Sequence, residues 1–482
     1  YKIMNISTKL LKAAAGQAGG ASLDVDEVFS IDLWDGTGRY SGSRAEQTIT
    51  NGIDFSTEGG MVYIKGRGTG TGNGNRGSLF STPALGVGNF LYTAHDYAKN
   101  SNQTGNTYLH TGPNQYNTDG FKLGDERDGW GAANDLSTPD YVGYSFRQAP
   151  KFFQCLTYNG NGSTQDISHS LGSTPGMIWI KKTSSTSEWF VWHTGVGNTG
   201  YLILNGTAAK ANYSNWLNPT STTISLQNDS TNVNGDTYVA YLFAHHANDG
   251  SATGFGPDGD SPVISCGSYA GNGNDARTID LGFEAQWLLV KRSDGATDWW
   301  IVDSMRGLHA RQISGKYLEA NTSNAEASQG NFFADSQGFM VDAGDYNSAG
   351  ETYIYMAIRK GSLFPPEAGD ATKVFNVGTV QNNTHRTLTN SLTGNLSPDF
   401  VLFKTTAESD WIAQTRLTGK NALQPHDTDA ELTIYGANWG KVMHNVSADG
   451  TASTGTSSFG WMWARAPSYF DVVAYSGTGS AR

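Results

Sequence analysis

Two cysteines among 482 residues are too few for a disulfide framework. Prolines number 13, about half the usual share of ~5%. With proline so scarce and no glycine repeat of period three, collagen is excluded. Charged residues make up 16% and the net charge is −12, against a usual charged share of ~25%. No cluster of Lys and Arg offers the basic surface that nucleic acid requires, so no nucleic-acid partner is expected. No apolar run approaches the ~18 residues of a spanning helix, and no membrane insertion is expected. The first residues, Tyr1-Lys2-Ile3-Met4-Asn5, are polar and lack the apolar stretch of a signal peptide.

Glycine (60 residues) and aromatics (12%) are abundant. An aromatic-rich, charge-poor chain is not disordered. Gly, Asn, Thr and Ser are poor helix formers and good turn formers. The composition is that of a many-turned all-β protein, and the length suggests about three to five domains.

Internal repeats organise the chain. An alternating strand that ends in an aromatic and a Gly/Asn turn opens each unit. It occurs as Phe29–Gly36, Phe153–Gly160 and Ile264–Gly271, degraded as Phe375–Val380, and again as Phe470–Gly477. An apolar run ending in Lys follows in the first four, at Met61–Lys65, Met177–Lys181, Trp287–Lys291 and Phe400–Lys404. In the last three a Trp-led strand comes shortly after, at Trp189, Trp299 and Trp411. Alternating aromatics close each unit at Tyr141–Phe146, Tyr238–Phe243, Tyr353–Ile358 and Phe459–Trp463.

These signatures divide the chain into a leader, 1–27, four units, 28–146, 150–243, 261–358 and 371–465, and the start of an interrupted fifth, 466–482. We expect the full-length product to continue with at least one more unit. Strand alternation is clear and helical periodicity nearly absent. Asn-Gly or Asp-Gly pairs at 35–36, 159–160, 205–206, 234–235, 294–295 and 449–450 read as hairpin turns, with Gly and Asn accepting positive φ. About 100 residues with seven or more short strands fit a two-sheet sandwich. The expected fold is all-β: tandem antiparallel β-sandwich domains of jelly-roll or lectin type in a row, after a short N-terminal helical leader. Within the leader, Thr8–Ala15 is the helix candidate, capped by Ser7 and ended by Gly16.

Chemistry-bearing residues are sparse. Cys155 and Cys266 share a slot that holds Val377 and Val472 in later copies, so they read as core-facing strand residues. Gly72-Asn73-Gly74-Asn75-Arg76-Gly77 has dinucleotide-fingerprint spacing, but it falls where the other units have a hairpin loop, not a strand-to-helix turn. Lys65, Lys181, Lys291 and Lys404 read as strand-end charges turned outward in a structural role, and any exposed ion pair they make contributes little. The repeated Trp residues read as core rather than carbohydrate platforms. His245, His246, Asp249, Asp258 and Asp260 combine metal-ligand residue types in the second linker. They lack calcium-loop spacing and read as a solvated linker. Neither a nucleophile elbow nor a zinc-protease helix is present. No catalytic, cofactor or metal residue is assigned, no cofactor is expected, and ligand-binding residues are unassigned.

The repeat resembles the tandem domains of virion structural, tail-fibre-like proteins of marine bacteriophages, cyanophages included. The resemblance rests on Tyr158-Asn159-Gly160-Asn161-Gly162, Lys181, Trp189 and Tyr238–Phe243, and again on Tyr269, Lys291, Trp299-Trp300, Gly338-Phe339 and Tyr353. Unit four departs most, with Val380 for the usual aromatic and Asn382-Asn383 for the glycines. The resemblance implies a non-enzymatic appendage subunit in the virion, a homotrimer in contact with other tail or capsid proteins and with a glycan or protein of the host surface. Tandem repetition suits such a role by multiplying weak contacts. A secreted carbohydrate-binding protein or carbohydrate-active enzyme with sandwich modules, and a bacterial adhesin or filament subunit, are the alternatives.

Overall fold

The Lys-ended runs are apolar on both faces, which a strand tolerates only when both faces are covered. In the computed structural model each is a central strand: Gly60–Gly66, Met177–Lys182, Ala285–Arg292 and Phe400–Thr405. The structure describes residues 22–473 apart from 39–44, 69–77, 100–107, 127–132, 136–139, 214–215, 228, 310–314 and 367–370, and from 382–386, 390–391, 393–397, 406–410, 419–420, 429, 431, 434–441 and 445–457 in the fourth unit. The leader helix candidate, the 72–77 loop and the 449–450 turn lie outside the described residues.

The first three units share one sheet order. The opening strand pairs antiparallel with the closing strand, the closing strand with the Lys strand, and the Lys strand with the Trp strand or its counterpart, beyond which lies a further strand. In the second unit these are Phe153–Asn159, Thr237–Phe243, Met177–Lys182, Trp189–His193 and Gly200–Ile203. Each unit adds a three-stranded antiparallel sheet, at 47–50 with 113–117 and 120–123, 165–168 with 217–219 and 223–226, and 277–280 with 332–335 and 338–341. The all-β, sandwich-domain expectation holds. In unit four the opening strand Phe375–Gln381, the closing strand Ser458–Trp463 and the Lys and Trp strands keep the same order.

The Asn-Gly and Asp-Gly pairs divide into two groups. Those at 205–206 and 294–295 join paired strands. Those at 35–36, 159–160 and 234–235 lie where the chain passes from one sheet to the other, so the hairpin expectation fails there. The glycines of the opening signature answer to crowding, not to positive φ. A Cβ on Gly160 would stand 2.1 Å from the Val233 carbonyl oxygen, and one on Gly271 2.0 Å from that of Ser348.

Strand alternation separates two cores. Val62 and Ile64 pack into the sandwich core of the first unit, and Leu288 and Val290 into that of the third. The alternate residues, Met61, Tyr63, Met177, Trp179, Trp287 and Leu289, enter one cluster drawn from all three units, which in unit two is continuous with the sandwich core of Ile178 and Ile180. Cys155 and Cys266 lie in it as free, buried thiols. The three large sheets turn one face inward on this shared core, and units one and three are in direct contact. The row of domains is closed into a ring. Fully burying one large apolar side chain contributes about 1.5–3 kcal/mol, and the shared core joins dozens of them.

The end of the leader is fixed to this ring. Val25 is fully buried, Leu23 N donates to the Gly254 carbonyl (2.9 Å), and the Asp24 carboxylate accepts from Leu363 N (2.8 Å). Among the described residues no helix is long and apolar enough to cross a membrane.

Candidate functional site: the seams between units

The Lys of each central strand has the parity of the shared-core face, so it points inward. Lys65, Lys181 and Lys291 are all fully buried, which corrects the expectation of outward strand-end charges. The physical reason is that the rim of the shared core presents main-chain carbonyls, and a long ammonium side chain reaches them. Lys65 Nζ, in unit one, donates to the Glu319 and Thr322 carbonyls of unit three (2.7 and 2.6 Å) and to Ser78 Oγ (2.8 Å). Lys181 Nζ, in unit two, donates to the Asp96 carbonyl of unit one (3.1 Å) and to Ser187 O (2.8 Å). Lys291 Nζ, in unit three, donates to the Thr207 carbonyl of unit two (3.0 Å) and to Arg292 O (2.8 Å). Donation therefore runs from one to three, three to two and two to one, and the cycle closes. Burial pulls these ammonium groups down, Lys65 to about 7 and Lys181 and Lys291 each to about 8.

The Trp strands repeat the pattern. Trp189 Nε1 donates to Tyr92 O of unit one and Trp299 Nε1 to Ile203 O of unit two, both at 2.9 Å. Unit one has Phe80 in that strand, and its Thr93 Oγ1 donates to Ala320 O of unit three (2.7 Å). Main-chain bonds complete each seam: Lys99 N to Thr183 O (3.2 Å), Lys210 N to Ser293 O (2.8 Å) and Glu326 N to Arg67 O (3.0 Å). Trp179, Trp189, Trp287 and Trp299 are fully buried, so these rings serve as core.

Two charged assemblies were not foreseen. At the seam that closes the ring, Tyr144 OH donates to Asp303 Oδ2 (2.8 Å), and Arg306 Nη2 bonds both Tyr144 OH (2.9 Å) and Asp303 (2.7 Å). Glu326 lies 3.6 Å from the same guanidinium and pairs with Arg67 at 2.9 Å. Burial opposes the Arg306 charge, but Asp303, Tyr144 and Glu326 outweigh it and hold the group above its ordinary value. At the joint between units three and four, Asp399 pairs with Lys360 and Arg416, while Glu284 pairs with Arg416 (2.5 Å) and Arg465 (3.1 Å). Burial would raise the Asp399 carboxyl, but the Lys360, Arg416 and Arg465 charges hold it well below the usual carboxylate range. The available signal was the charge of Asp303 and Arg306 directly after the apolar run Trp299–Val302.

The remaining candidates also fall into structural places. Cys155 is pushed up to about 12 by burial, and Cys266 is pushed up as well, so both stay as inert thiols. His245 is exposed and His246 buried, a divergence that follows from adjacent positions on an extended backbone. The linker is not simply solvated, since His246 Nε2 bonds Lys151 O (2.6 Å), its Nδ1 accepts from Val263 N (3.0 Å), and Phe255 is fully buried. No group of three or more metal-ligand side chains occurs among the described residues. A cavity of about 290 Å3 on the seam between units two and three is lined by Gly195, Lys210, Asn212, Ser293, Asp294 and Thr352. Two of its polar groups are engaged: Ser293 Oγ donates to Thr352 O (3.2 Å) and Asp294 pairs with Arg292 (2.8 Å).

Fold and seams together define a protein made of a closed three-unit β-sandwich ring with a fourth sandwich unit joined to it. The family described as a domain of unknown function, DUF7483, matches residues 34–361, and the chain belongs to that family. The matched span begins at Trp34, inside the first opening strand, and ends at Gly361, three residues past the third unit, so it covers nearly all of the ring. No curated protein and no solved structure matches the chain.

Proposed function

We propose that this chain is a non-enzymatic structural subunit of a bacteriophage particle, a tail fibre or related appendage that presents repeated sandwich domains to the host surface. The observation that carries the reading is the use made of the repeated Lys and Trp. The Lys of all three ring units and the Trp of two of them join one unit to the next in a closed block. Such a block suits an extracellular particle, and the resemblance of the repeat to tail-fibre-like virion proteins supplies the setting. Its contacts would be with other tail or capsid proteins and with a glycan or protein of the host surface, strengthened by copy number.

Negative-stain imaging of intact particles labelled with an antibody against the ring tests this. Label on tail appendages is expected. Particles that carry none, or purified protein that hydrolyses a polysaccharide, would overturn the reading.

A further inference from the structure

One position on the strand after the Lys strand crosses to the next unit at every seam of the ring. In register, His193 stands opposite Met177 and Asp303 opposite Trp287. Thr82 follows Ser81, the partner of Val62, so it holds the same place in unit one. Thr82 Oγ1 donates to Cys155 Sγ of unit two (3.6 Å), and Asp303 accepts from Tyr144 OH of unit one (2.8 Å). His193 Nε2 lies 3.0 Å from the Tyr355 carbonyl oxygen of unit three. The three seams thus carry a hydroxyl, a carboxylate and an imidazole at one place. Of these, only imidazole ordinarily changes its charge between pH 5 and 8.

The bonds of His193 fit the neutral ring alone. Its Nδ1 accepts from Gly195 N (3.0 Å), so the ring proton sits on Nε2, which donates to Tyr355 O. The side chain is fully buried, and the two units approach closely beside it. A Cβ on Gly195 of unit two would stand 2.9 Å from Ser268 Cβ and 3.1 Å from Ile354 Cγ2 of unit three. His246 repeats the arrangement in the linker between the same two units. Its Nδ1 accepts from Val263 N (3.0 Å) at the start of unit three, and its Nε2 donates to Lys151 O (2.6 Å) at the start of unit two.

A second proton on either ring would point Nδ1–H at a main-chain N–H and leave a buried cation. Nothing around the rings balances that charge. The charged and titratable groups that face them are His245, which faces both, and the Lys151 ammonium, which faces His246. The Tyr355 phenol and the Cys266 thiol, on the strands of unit three that meet this joint, are both pushed up by burial and stay neutral. Asp249 acts on His245 and is fully exposed itself. Burial holds His193 and His246 at about 4, below the ordinary ~6.5. The opened joint therefore binds more protons than the closed one, and closure weakens as the pH falls from about 6.5 towards 4.

We propose that the joint between units two and three is an acid-operated release: protonation of His193 and His246 parts these two units while the other two seams hold, so that acid opens the ring at one place. This inference does not rest on the virion reading.

The two native thiols, both buried, report on different seams. Cys155 lies against Thr82 of unit one, and Cys266 against Gly176 of unit two, where an added Cβ would stand 2.7 Å from its own Cβ. The full chain is treated with a dipyridyl disulfide, which reacts with thiols in acid, and each modified cysteine is located by mass spectrometry. Rates are taken relative to the denatured chain at the same pH. Cys266 should react faster as the pH falls below about 6.5, by up to about tenfold per unit for each imidazole, while Cys155 stays protected. His193→Gln keeps a donor in place of Nε2, His193→Asn keeps an acceptor in place of Nδ1, and neither titrates. Each should halve the slope, and a variant with Cys266 already open at neutral pH and Cys155 protected supports the proposal equally. His169→Gln, whose ring bonds Leu171 N and Thr220 O inside unit two, should leave the Cys266 profile unchanged. A Cys266 rate in the native chain that is flat with pH overturns the proposal. So does Cys155 reacting in step with Cys266, or a slope that both position-193 variants leave intact.

Discussion

The contact between units one and three should be measurable as a coupling between two side chains 159 positions apart. Tyr144→Phe keeps the ring and removes a hydroxyl that donates to Asp303 (2.8 Å) and accepts from Arg306 (2.9 Å). A hydrogen bond to a charged group contributes a net ~1.5–3 kcal/mol. Asp303 and Arg306 stay paired through Nε at 2.7 Å, so a loss of about 2 kcal/mol is expected. Asp303→Ala leaves a fully buried guanidinium whose nearest remaining carboxylate is that of Glu326, at 3.6 Å. Breaking a buried pair from one side costs about 3–5 kcal/mol. The double variant should lose about 1–3 kcal/mol less than the sum of the two, because the hydroxyl's partner is already gone.

Denaturant unfolding of the full chain gives the cycle, and hydrogen exchange locates it. Glu326 N, bonded across this seam to Arg67 O, should exchange faster in either variant than Lys210 N, which bridges units two and three. A cycle additive to within about 0.5 kcal/mol, with Glu326 N unaffected, would refute the claim that these groups hold the ring closed.

The buried lysines make the ring sensitive to alkali in a definite direction. Their folded values, about 7 for Lys65 and about 8 for Lys181 and Lys291, lie below the unfolded value, so the unfolded chain binds more protons and stability rises with pH from about 8 towards 10. The slope is at most ~1.4 kcal/mol per unit per lysine, and Lys65→Met should reduce it in pH-dependent melts. Gly160→Ala drives a Cβ to 2.1 Å from the Val233 oxygen and should cost about 1–3 kcal/mol in equilibrium unfolding, with Gly271→Ala behaving alike. Asp399, held below the usual carboxylate range, stabilises the joint to unit four above its unfolded value. That contribution is lost only as the pH falls through the lower folded one. Asp399→Asn should therefore speed proteolysis near Pro365-Pro366 while leaving exchange within the ring unchanged.

Much of the fold was legible because its determinants are local. Strand alternation, the turn residues, the fourfold recurrence of the strand-end Lys and the threefold recurrence of the Trp-led strand are written in side-chain types. They gave the strands, the sandwich units and the core positions of Cys155, Cys266 and the Trp residues. Lys65, Lys181 and Lys291 show where this legibility ends. An ammonium at the end of an apolar strand reads as a surface charge unless its acceptors are known, and here the acceptors are main-chain carbonyls. Every residue has a carbonyl, so Glu319 O, Asp96 O and Thr207 O leave no mark in the sequence. Tyr144 and Arg306 were unreadable for a related reason: their meeting depends on unit one reaching unit three.

By itself, then, the sequence determined what the repeated units are made of and which residues alternate between two faces. Only the tertiary structure decided what each face meets. One face covers the unit's own second sheet and the other covers its neighbours. A period of two separates the faces but does not say which partner lies across from either. The closure of three units on one core follows from long-range packing that no local pattern encodes.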